Sequence, residues 1–482
     1  MTEPVLVGLD VGTTAVKAIA VAGDGRVLAR AESPYPLDTP RPGWAEQDPE
    51  RWWAAAREAQ AALGLAGGQA AGIGLSGQMH GLVALDEADR VIRPAILWND
   101  QRTAAQCAAI ESQVGLDRLI ALTGNRALTG FTAPKLLWLR DEEPEAFARI
   151  RRVLLPKDHV RLRLTGEHAT DVSDASGTLL FDVAARGWSD EVVSVLGLDR
   201  EWLPPALESP VVSGHTPDGV PVAAGAGDQA AGAVGVGVDR ASGGAVSVAL
   251  GTSGVVFGAL DAYAADPRAR VHAFCHAVPG EWHAMGVMLS AAGSLQWLRD
   301  TIAPGVGFDA LVEEAAAWPP GVEGLTFLPY LAGERTPHAD PDARGSFTGL
   351  SLRHDRGALV RAVLEGVAYG LRDALDLLAN LGVAPRVGRV SGGGARSELW
   401  LQIVASVLEL PLERMVVEEG AAYGAALLGG VAGGVFPDVR AAVGASVRAR
   451  ETVDPVPGWV GPYAEHRARF RALYPALRDL PA

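Results

Sequence analysis

The sequence predicts a mixed α/β protein of two domains with a cleft between them. The chain has 482 residues, more than one hydrophobic core supports, so two domains of roughly 200 to 250 residues are expected. The stretch GGAVSVALGTSGVVFGAL at 243–260 repeats the strand, Gly-Thr turn and strand of residues 5–22. This echo indicates a duplicated core. We place the boundary in DRASGGA, near residues 238–244, with an N-terminal domain at 1–240 and a C-terminal domain at 241–482.

Composition and charge exclude several classes of protein. Hydrophobic residues make up 48% of the chain and charged residues 21%, which is close to globular averages and argues against disorder. The formal net charge of −15 offers no basic footprint for a nucleic acid. The first residues, MTEPVLVGLDVG, lack a basic segment ahead of the apolar stretch, and no long uninterrupted apolar run follows. We therefore expect a cytoplasmic protein with no membrane partner.

Patterning in the first half predicts a strand meander followed by a helix. Residues 4–22 form two apolar strands joined by a Gly-Thr-Thr turn. Residues 50–65 have the alanine content and apolar spacing of a helix. A further strand at 70–77 ends in a polar loop, and the stretch from about 100 to 200 is rich in helical patterns. This helical stretch is expected to shape a substrate pocket.

Patterning in the second half predicts a similar order of elements. The repeated strand pair is followed by helical patterns at 294–300 and 358–382, and then by a strand that leads into SGGGARS at 391–397. Glycines let a backbone approach a flat ligand closely, and the helix after them brings its N-terminus towards phosphate oxygens. A single triple glycine is nevertheless weak evidence for a nucleotide site.

The duplicated Gly-Thr turn is typical of a phosphate-binding site. Such a turn brings backbone N–H groups and hydroxyls into one concave surface, and its glycine lets a phosphate come close. Most single Gly-Thr hairpins merely connect strands, but two matching copies are stronger evidence. We expect Thr13 and Thr14 of the first copy and Gly251 and Thr252 of the second to bind phosphate.

The positions of the lysines exclude two other classes of nucleotide-binding protein, the P-loop proteins and the protein kinases. The chain has only Lys17, Lys135 and Lys157. A Walker A loop requires Gly-Lys followed by Ser or Thr, and none of these lysines follows a glycine. None stands at the proper distance behind a glycine-rich loop of the protein-kinase type either.

Asp10 and Asp228 are the candidate catalytic residues. Asp10 precedes the first turn, whereas the second copy has Ala249 at the corresponding position. Because a phosphate-bound Mg²⁺ needs only one or two carboxylates, Asp10 is a candidate metal ligand; the alternative is an aspartate that caps its own turn. Asp228 lies in VAAGAGDQAAGAVG, at a predicted helix start. We expect the helix dipole to keep it ionised, ready to accept a hydroxyl proton, and the alternative is a simple N-cap.

The loop Gln78-Met79-His80 suits a polyol ligand. Its amide and imidazole can hydrogen-bond to hydroxyls while the thioether contacts carbon atoms, although the loop could also be an ordinary strand end. A second histidine-rich stretch, VHAFCHAVPGEWH at 271–283, fits no standard zinc spacing. We expect a strand whose histidines are satisfied by neighbouring groups.

Several segments resemble the FGGY carbohydrate kinases. They include GLDVGTTAVK, WAEQDPERWW, GLSGQMHG, LLPKDHVRLRLTGE, DVSDASGT, GAGDQAAGAVGVG, LGTSGV, FLPYLAGERTPH and SGGGARSELW. The likeness runs from residue 5 to about 430. It implies an actin-like ATPase fold of two domains, each built on a ribonuclease-H-like core, with ATP and a sugar meeting in the cleft.

The resemblance also implies roles for individual residues: Asp228 is the catalytic base and Asp10 the carboxylate associated with Mg²⁺. The complete set of expected substrate residues is Gln78, Met79, His80, Asp228 and Gln229. The complete set of expected nucleotide residues is Thr13, Thr14, Lys17, Gly251, Thr252, Gln296, Gly393, Gly394 and Ser397.

The activity implied by the resemblance is transfer of the terminal phosphate of ATP to a sugar hydroxyl. D-xylulose is the expected sugar and D-xylulose 5-phosphate the product, with a homodimer as the family's expectation. Gln229 stands where some relatives have asparagine, so ribulose, gluconate and glycerol stay open as substrates. A non-catalytic actin-like protein that uses ATP as a conformational switch is the remaining alternative.

Overall fold

The fold consists of two lobes, each built around a mixed β-sheet. The structure is a computed structural model that describes residues 3–65 and 68–479. Within these residues each lobe contains one seven-stranded sheet. Residues 1–2 and 480–482, at the outer ends of the two expected domains, lie outside the described residues. The prediction made from the N-terminal sequence falls partly on residues 1–2 and is compared with the structure only from residue 3 onwards.

The strands of the described residues, in chain order, are as follows. They are β1 Val5–Val11, β2 Ala15–Ala22, β3 Val27–Pro34, β4 Glu46–Gln47, β5 Ala70–Gly77, β6 Val83–Leu85, β7 Ala95–Ile96, β8 Arg152–Leu154, β9 Thr170–Asp171, β10 Phe181–Asp182, β11 Gly187–Trp188, β12 Ala206–Leu207, β13 Val212–His215, β14 Pro221–Ala223, β15 Ala226–Gly227, β16 Ala245–Leu250, β17 Gly254–Leu260, β18 His272–Cys275, β19 Trp282–Met288, β20 Thr326–Leu328, β21 Ser346–Thr348, β22 Val387–Ser391, β23 Leu412–Met415 and β24 Ala449–Val453.

The α-helices of the same residues also follow in chain order. They are α1 Pro49–Ala62, α2 Ala104–Val114, α3 Leu116–Thr123, α4 Thr132–Glu142, α5 Pro144–Ala148, α6 Pro156–Thr165, α7 Val172–Ala175, α8 Asp190–Val195, α9 Asp228–Gly235, α10 Ala292–Ile302, α11 Phe308–Ala316, α12 Arg356–Asn380, α13 Glu398–Leu408, α14 Gly420–Ala432, α15 Val439–Ser446 and α16 Pro457–Leu477. Across the described chain, no helix combines the length and the apolar character that crossing a membrane requires.

The first sheet places a carboxylate at the end of its central strand. Its order is β13-β14-β5-β1-β2-β3, with β15 beside β5. Strand β1 runs antiparallel to β2 and parallel to β5, and its apolar run is buried because helices cover both faces. Asp10 is therefore aligned with Lys17 on β2 and with Ser76 on β5.

The second sheet repeats this arrangement, as the sequence echo predicts. Its order is β18-β19-β17-β16-β22-β23-β24. Strand β16 pairs antiparallel with β17 and parallel with β22, just as β1 pairs with β2 and β5. The predicted two-domain duplicated fold is confirmed. The predicted helix at 358–382 is also present as α12, which the Asp355 side chain caps by accepting from Ala358 N.

The helical stretch between the two sheets joins the lobes. Helices α2 to α8 all lie between residues 104 and 195, as predicted. Their apolar faces share one hydrophobic cluster with residues of the second sheet, including Phe131 on one side and Phe257 and Phe274 on the other. The hydrophobic core is therefore partly continuous from one lobe to the other.

Helix α14 belongs to the second half of the sequence but packs on the first sheet. A Cβ atom added to Gly74 of β5 would lie 1.8 Å from the carbonyl oxygen of Ala425, and one added to Gly8 of β1 would lie 1.9 Å from that of Ala422. Such contacts require glycine because backbone meets backbone. The domain boundary near residues 238–244 stays a prediction. Helix α14 follows that boundary in the sequence but packs on the sheet that precedes it.

We predict that Gly424→Ala destabilises the protein, whereas Gly444→Ala does not. A Cβ at Gly424 of α14 would lie 1.8 Å from the carbonyl oxygen of Ala231 in α9, so overpacking should lower the free energy of unfolding by about 1–3 kcal/mol. A Cβ at Gly444 in the interior of α15 meets nothing within 4 Å, and alanine there should stabilise by about 0.5–1 kcal/mol. Thermal unfolding followed by circular dichroism measures both. Equal midpoints for the two variants would contradict the packing argument.

Candidate active site

The first Gly-Thr turn is held rigid by hydrogen bonds from neighbouring side chains. The Thr13 hydroxyl donates to Gln78 Oε1 over 3.3 Å and accepts from Trp98 Nε1 over 3.0 Å. Gln47 Nε2 donates to the Thr13 carbonyl over 2.7 Å. Thr14 is exposed. The Thr14 hydroxyl therefore remains available to a ligand, whereas the Thr13 hydroxyl maintains the shape of the turn.

The second turn is held by the start of α10. Ala292 N donates to the Gly251 carbonyl and Ala291 N to the Thr252 carbonyl, each over 2.8 Å. The Thr252 side chain is exposed. The two turns thus share a design in which the carbonyl groups are engaged and one threonine hydroxyl stays accessible.

A cavity of about 670 Å³ lies between the lobes. The first lobe contributes the hairpin of β2 and β3, and the second contributes the loop after β22, strand β23 and the start of α14. The polar lining residues and glycines are Lys17, Arg30, Glu32, Ser391, Gly392, Gly393, Arg396, Arg414, Glu418, Glu419 and Arg450. Among the residues expected to bind nucleotide, Lys17 and Gly393 line this cavity.

Other residues of the SGGGARS segment have structural contacts of their own. Gly392 has a φ of +86°, and a Cβ there would lie 2.7 Å from the carbonyl carbon of Leu250, so glycine is required. Gly394 packs against Leu250 and Trp400. The Ser397 hydroxyl caps α13 by accepting from Trp400 N over 3.2 Å. Nucleotide contacts of Gly394 and Ser397 stay predictions.

Gln296 lies on α10, where its side chain is exposed. It is not part of the lining of the cavity between the lobes. The role predicted for Gln296 in nucleotide binding therefore has no support from the position of the cavity and stays a prediction.

Asp10 and Asp228 form an electrostatically coupled pair. Burial raises the pKa of Asp10, although a hydrogen bond of 2.7 Å from the Ser76 hydroxyl and the charge of Lys17 partly offset this. Asp228 is the first residue of α9, and burial together with the charge of Asp10 raises its pKa to about 7. The sequence argument expected the helix dipole to keep Asp228 ionised. Desolvation opposes that ionisation and outweighs the hydrogen bonds from Gln229, so the ionised state of Asp228 stays a prediction.

This pair of carboxylates fits a hydrated magnesium ion. Asp10 is near enough to Asp228 for its charge to raise the pKa of Asp228, and a divalent cation relieves such repulsion. Mg²⁺ in protein sites keeps waters and takes one or two carboxylates. Within residues 3–65 and 68–479 no group of three or more His, Cys, Asp and Glu residues is suited to a metal. The protein therefore offers a partial ligand set of the kind that phosphate-bound Mg²⁺ uses.

His80 is a neutral, buried hydrogen-bond acceptor that packs against Phe131. Its φ of +70° is a left-handed conformation that is unusual for histidine. Its Nδ1 lies 2.7 Å from the Gly177 carbonyl oxygen, and because a carbonyl only accepts, Nδ1 carries the proton and Nε2 is an acceptor. Burial and the charge of Lys135 lower its pKa to about 3. His80 is therefore neutral at physiological pH.

The neighbours of His80 differ in their roles. Met79 is buried, and a Cβ at Gly227 would lie 2.9 Å from its sulfur, so Met79 packs beside the residue that precedes Asp228. The amide nitrogen of Gln78 lies 3.3 Å from the Gly12 carbonyl and 3.1 Å from Gln47 Oε1. Gln78 thus supports the first turn, and its predicted sugar contact is not favoured by this geometry.

A buried charge cluster beneath the site was not singled out by reasoning from residue types. Lys157 Nζ lies 2.6 Å from Asp158, 2.9 Å from Asp171 and 3.3 Å from Asp174. The Ser173 hydroxyl donates to Asp171 over 2.5 Å. It also accepts from Gly227 N over 3.2 Å. The cluster therefore fixes the backbone just before Asp228, and its only sequence signal is the pair of segments LLPKDH and DVSDAS.

The histidine-rich stretch forms parts of β18 and β19, as expected. His276 is satisfied at both nitrogens, with Nε2 3.0 Å from the Val238 carbonyl and Nδ1 accepting from Val278 N over 3.0 Å. His272 is bonded at Nδ1 alone, and its buried Nε2 has no hydrogen-bond partner. The expectation of satisfied histidines holds for His276. It is wrong for His272 and for His283, whose two buried nitrogens have no hydrogen-bond partner among the described residues.

A two-lobed fold with duplicated Gly-Thr turns and a carboxylate pair at the cleft defines a phosphotransferase-like architecture. Two family models match the sequence: the N-terminal domain of the FGGY family of carbohydrate kinases over residues 5–235, and the C-terminal domain of that family over residues 246–433. The chain belongs to the FGGY family of carbohydrate kinases. The resemblance stated from the sequence is confirmed.

Individual relatives are similar over nearly the whole chain. A protein named xylulose kinase from Escherichia coli K12 is 45% identical over 88% of this chain and 90% of its own length. A solved structure described as a xyloylose kinase from Brucella ovis is 42% identical, with a TM-score of 0.93 over 99% of this chain and 100% of that one. The xylulose kinase structure from Rhodospirillum rubrum is 34% identical, with a TM-score of 0.90 over 98% and 99% of the two chains.

We predict that Lys157→Met strongly destabilises the protein at neutral pH. Removing the lysine leaves three carboxylates buried without their cation, which should lower the free energy of unfolding by about 3–5 kcal/mol. The deficit should shrink from pH 8 to pH 5, because the buried carboxylates of the variant gain a raised pKa and take up protons in the folded state. Urea unfolding at the two pH values measures this.

The matched control for this experiment is Arg118→Met. Arg118 pairs with Glu191 at the surface, where both side chains are about half exposed, so its loss should cost less than about 1 kcal/mol at either pH. A Lys157→Met deficit no larger than that of the control would contradict the role of the cluster.

Proposed function

We propose that this protein transfers the terminal phosphate of ATP to D-xylulose, giving D-xylulose 5-phosphate, with Asp228 as the general base. The observation that carries the proposal is the environment of Asp228. Asp228 begins α9, burial and the charge of Asp10 raise its pKa to about 7, and Gly227 just before it packs against the thioether of Met79. A base with a pKa near the working pH is the most effective for removing a hydroxyl proton.

The identity of the sugar is supported by the relatives. Proteins from Escherichia coli and Klebsiella pneumoniae that carry the name xylulose kinase are 45% and 43% identical to this chain. Their similarity covers 88% of it. The neutral His80 and the thioether of Met79 provide an acceptor and an apolar surface, which suit a small sugar.

In the proposed reaction the sugar hydroxyl attacks the terminal phosphorus of ATP. A new O–P bond forms, the bond between that phosphorus and the oxygen of the leaving ADP breaks, and the hydroxyl proton passes to Asp228. Mg²⁺, held near Asp10, would neutralise part of the phosphate charge. The carboxylate pair, the two threonine turns and the cavity together provide the groups that this transfer requires.

We assign the cavity between the lobes to ATP. Lys17 and Arg30 supply positive charge from the first lobe, while Gly392 and Gly393 let the backbone of the second lobe approach a flat base. The exposed hydroxyls of Thr14 and Thr252, which like Gln296 lie outside the lining of this cavity, are the groups we assign to the phosphates.

We predict that D-xylulose is the preferred substrate in a panel with D-ribulose, D-gluconate and glycerol. Sugar-dependent release of ADP, measured by an enzyme-coupled assay, should give a kcat/KM for D-xylulose at least about tenfold above each competitor. A higher value for another sugar would replace D-xylulose in the proposal. ATP hydrolysis that does not depend on any sugar would instead support the conformational-switch alternative.

We predict that Asp228→Asn lowers kcat by about 10²–10⁴-fold, because asparagine cannot accept the proton. The wild-type kcat/KM should fall about tenfold per pH unit below pH 7, where Asp228 becomes protonated and can no longer act as a base, and the variant should lose this acid limb. ATP affinity, measured by calorimetry, should change less than about twofold because uniform nucleotide binding is retained.

The matched control for this variant is Asp24→Asn in an exposed turn, where the carboxylate accepts from Arg26 N over 3.0 Å and lies 3.7 Å from Arg26 Nε. Its activity and pH profile should equal those of the wild type. An Asp228→Asn variant with wild-type kcat would remove Asp228 from its role as the base while leaving the assignment of the sugar intact.

A further inference from the structure

The backbone of His80 is held in its left-handed conformation by two side chains of α4. A φ of +70° costs a residue with a β-carbon about 1–2 kcal/mol, so neighbouring groups have to maintain it. The His80 carbonyl oxygen accepts from Lys135 Nζ over 2.8 Å and from the Thr132 hydroxyl over 3.0 Å. Residues three apart in a helix lie on one face. One face of α4 therefore fixes the carbonyl of His80.

Lys135 also connects His80 to the segment that leads into α4. Its Nζ donates to the Gly130 carbonyl over 2.6 Å, in addition to the carbonyl of His80. Phe131 follows Gly130 in the chain, and its ring centroid lies 4.8 Å from that of His80. One amino group thus joins the backbone that carries the imidazole to the backbone that carries the ring packed against it.

The Lys135 side chain is buried without a counter-ion. It is 0% exposed, and it forms no ion pair in the part of the chain that the structure describes. Asp100, the acid whose charge acts on it, lies 2.7 Å from Arg102. Burial lowers the pKa of Lys135 to about 7, and the neutral amine keeps two N–H donors. Because an apolar side chain costs less to bury, a lysine here is explained by its bonds to the carbonyls of Gly130 and His80.

The ring of His80 is fixed at one edge and open at the other. Its Nδ1 donates to the Gly177 carbonyl over 2.7 Å, and a Cβ added to Gly177 would lie 2.3 Å from Nδ1. The ring therefore lies directly against that backbone. Nε2 has no hydrogen-bond partner among the described residues, yet it is not fully buried, unlike Nε2 of His272. Nε2 is thus an acceptor that a ligand can reach.

The side chain of Met79 connects this imidazole to the proposed base. A Cβ added to Gly177 would lie 3.2 Å from Met79 Cε, and one added to Gly227 would lie 3.0 Å from the same methyl group. Gly177 holds the ring of His80, and Gly227 immediately precedes Asp228. The segments that carry His80 and Asp228 therefore meet at one side chain.

We propose that Lys135 is a positioning residue for sugar binding: together with Thr132 it holds the backbone of His80 so that Nε2 accepts a hydrogen bond from a sugar hydroxyl. This inference rests on the proposed function, in which His80 contacts the sugar. Lys135 itself does not contact the sugar. Loss of its amino group lets His80 leave the left-handed conformation, and the imidazole then loses its place against the Gly177 carbonyl.

The experiment is a double-mutant cycle of Lys135→Met and His80→Gly, with sugar-dependent release of ADP measured at pH 8. Glycine removes the imidazole and adopts the left-handed conformation without steric cost. Lys135→Met alone should raise the KM for the sugar about 5–20-fold, because a sugar hydroxyl loses its acceptor. The kcat and the KM for ATP should stay within about twofold. In the His80→Gly background, Lys135→Met should change the sugar KM by less than about twofold, since no imidazole is left to position.

The choice of pH 8 separates position from charge. Burial is the main cause of the low pKa of His80, ahead of the charge of Lys135, so His80 is neutral at pH 8 in both proteins. A change in the sugar KM at this pH therefore reports the placement of the imidazole and not its protonation.

A second variant and a control complete the design. Thr132→Val removes the other donor to the His80 carbonyl at nearly constant volume, and should raise the sugar KM about 2–5-fold. It provides the measurement if circular dichroism shows that Lys135→Met is not folded. The control is Thr123→Val, which removes a buried hydroxyl that donates to the Leu119 carbonyl over 2.8 Å. Its sugar KM should equal that of the wild type.

Two results overturn the inference and leave the proposed phosphate transfer intact. One is a sugar KM in Lys135→Met within twofold of wild type. The other is an equal rise in both backgrounds, since Lys135 then acts without His80, as a residue that only supports the fold would. Calorimetric titration with the same sugar gives the affinity of any variant whose turnover is too slow to measure.

The outcomes also distinguish failure of the proposed function. If the wild type prefers another sugar of the panel, the proposed substrate is wrong, and the cycle measured with that sugar still decides the role of Lys135. If the wild type neither phosphorylates nor binds any sugar of the panel, both proposals are wrong.

Discussion

The contact of α14 with the first sheet and with α9 is the constraint on which the rest of the structure depends. Glycines at Gly8, Gly74 and Gly424 let the helix approach these backbones at distances that any side chain would prevent. The start of the same helix contributes Glu418, Glu419 and Ala422 to the cavity or its edge. One close-packed helix therefore positions both a wall of the cavity and the helix that carries the proposed base.

Buried charged residues that support the fold are paired with opposite charges, whereas the proposed catalytic base is not. Lys157 is surrounded by three carboxylates and serves as a fixed anchor beneath Gly227. Asp228 has no such cation partner among the described residues, and its pKa is raised. A folded protein retains uncompensated buried charge mainly where a ligand or a reaction uses it.

Residues near one another in sequence took different roles once the chain folded. Gln78 adjoins Met79 and His80, yet its amide is engaged by the first turn, because β5 ends beside that turn. Ser397 and Gly393 are four residues apart, yet Ser397 caps α13 while Gly393 lines the cavity. A local pattern predicts that a polar group lies near a site. It does not determine the direction in which that group points.

The sequence by itself determined the duplicated α/β fold, the two Gly-Thr turns, the carboxylate before the first turn and the helix that begins at Asp228. These features depend on local periodicity and on repetition within the chain. Only the tertiary structure decided the raised pKa of Asp228, the support of Gly227 by the Lys157 cluster, and the hydrogen bond of His80 to the Gly177 carbonyl. Those properties arise from desolvation and from contacts between residues far apart in the chain, which periodicity does not encode.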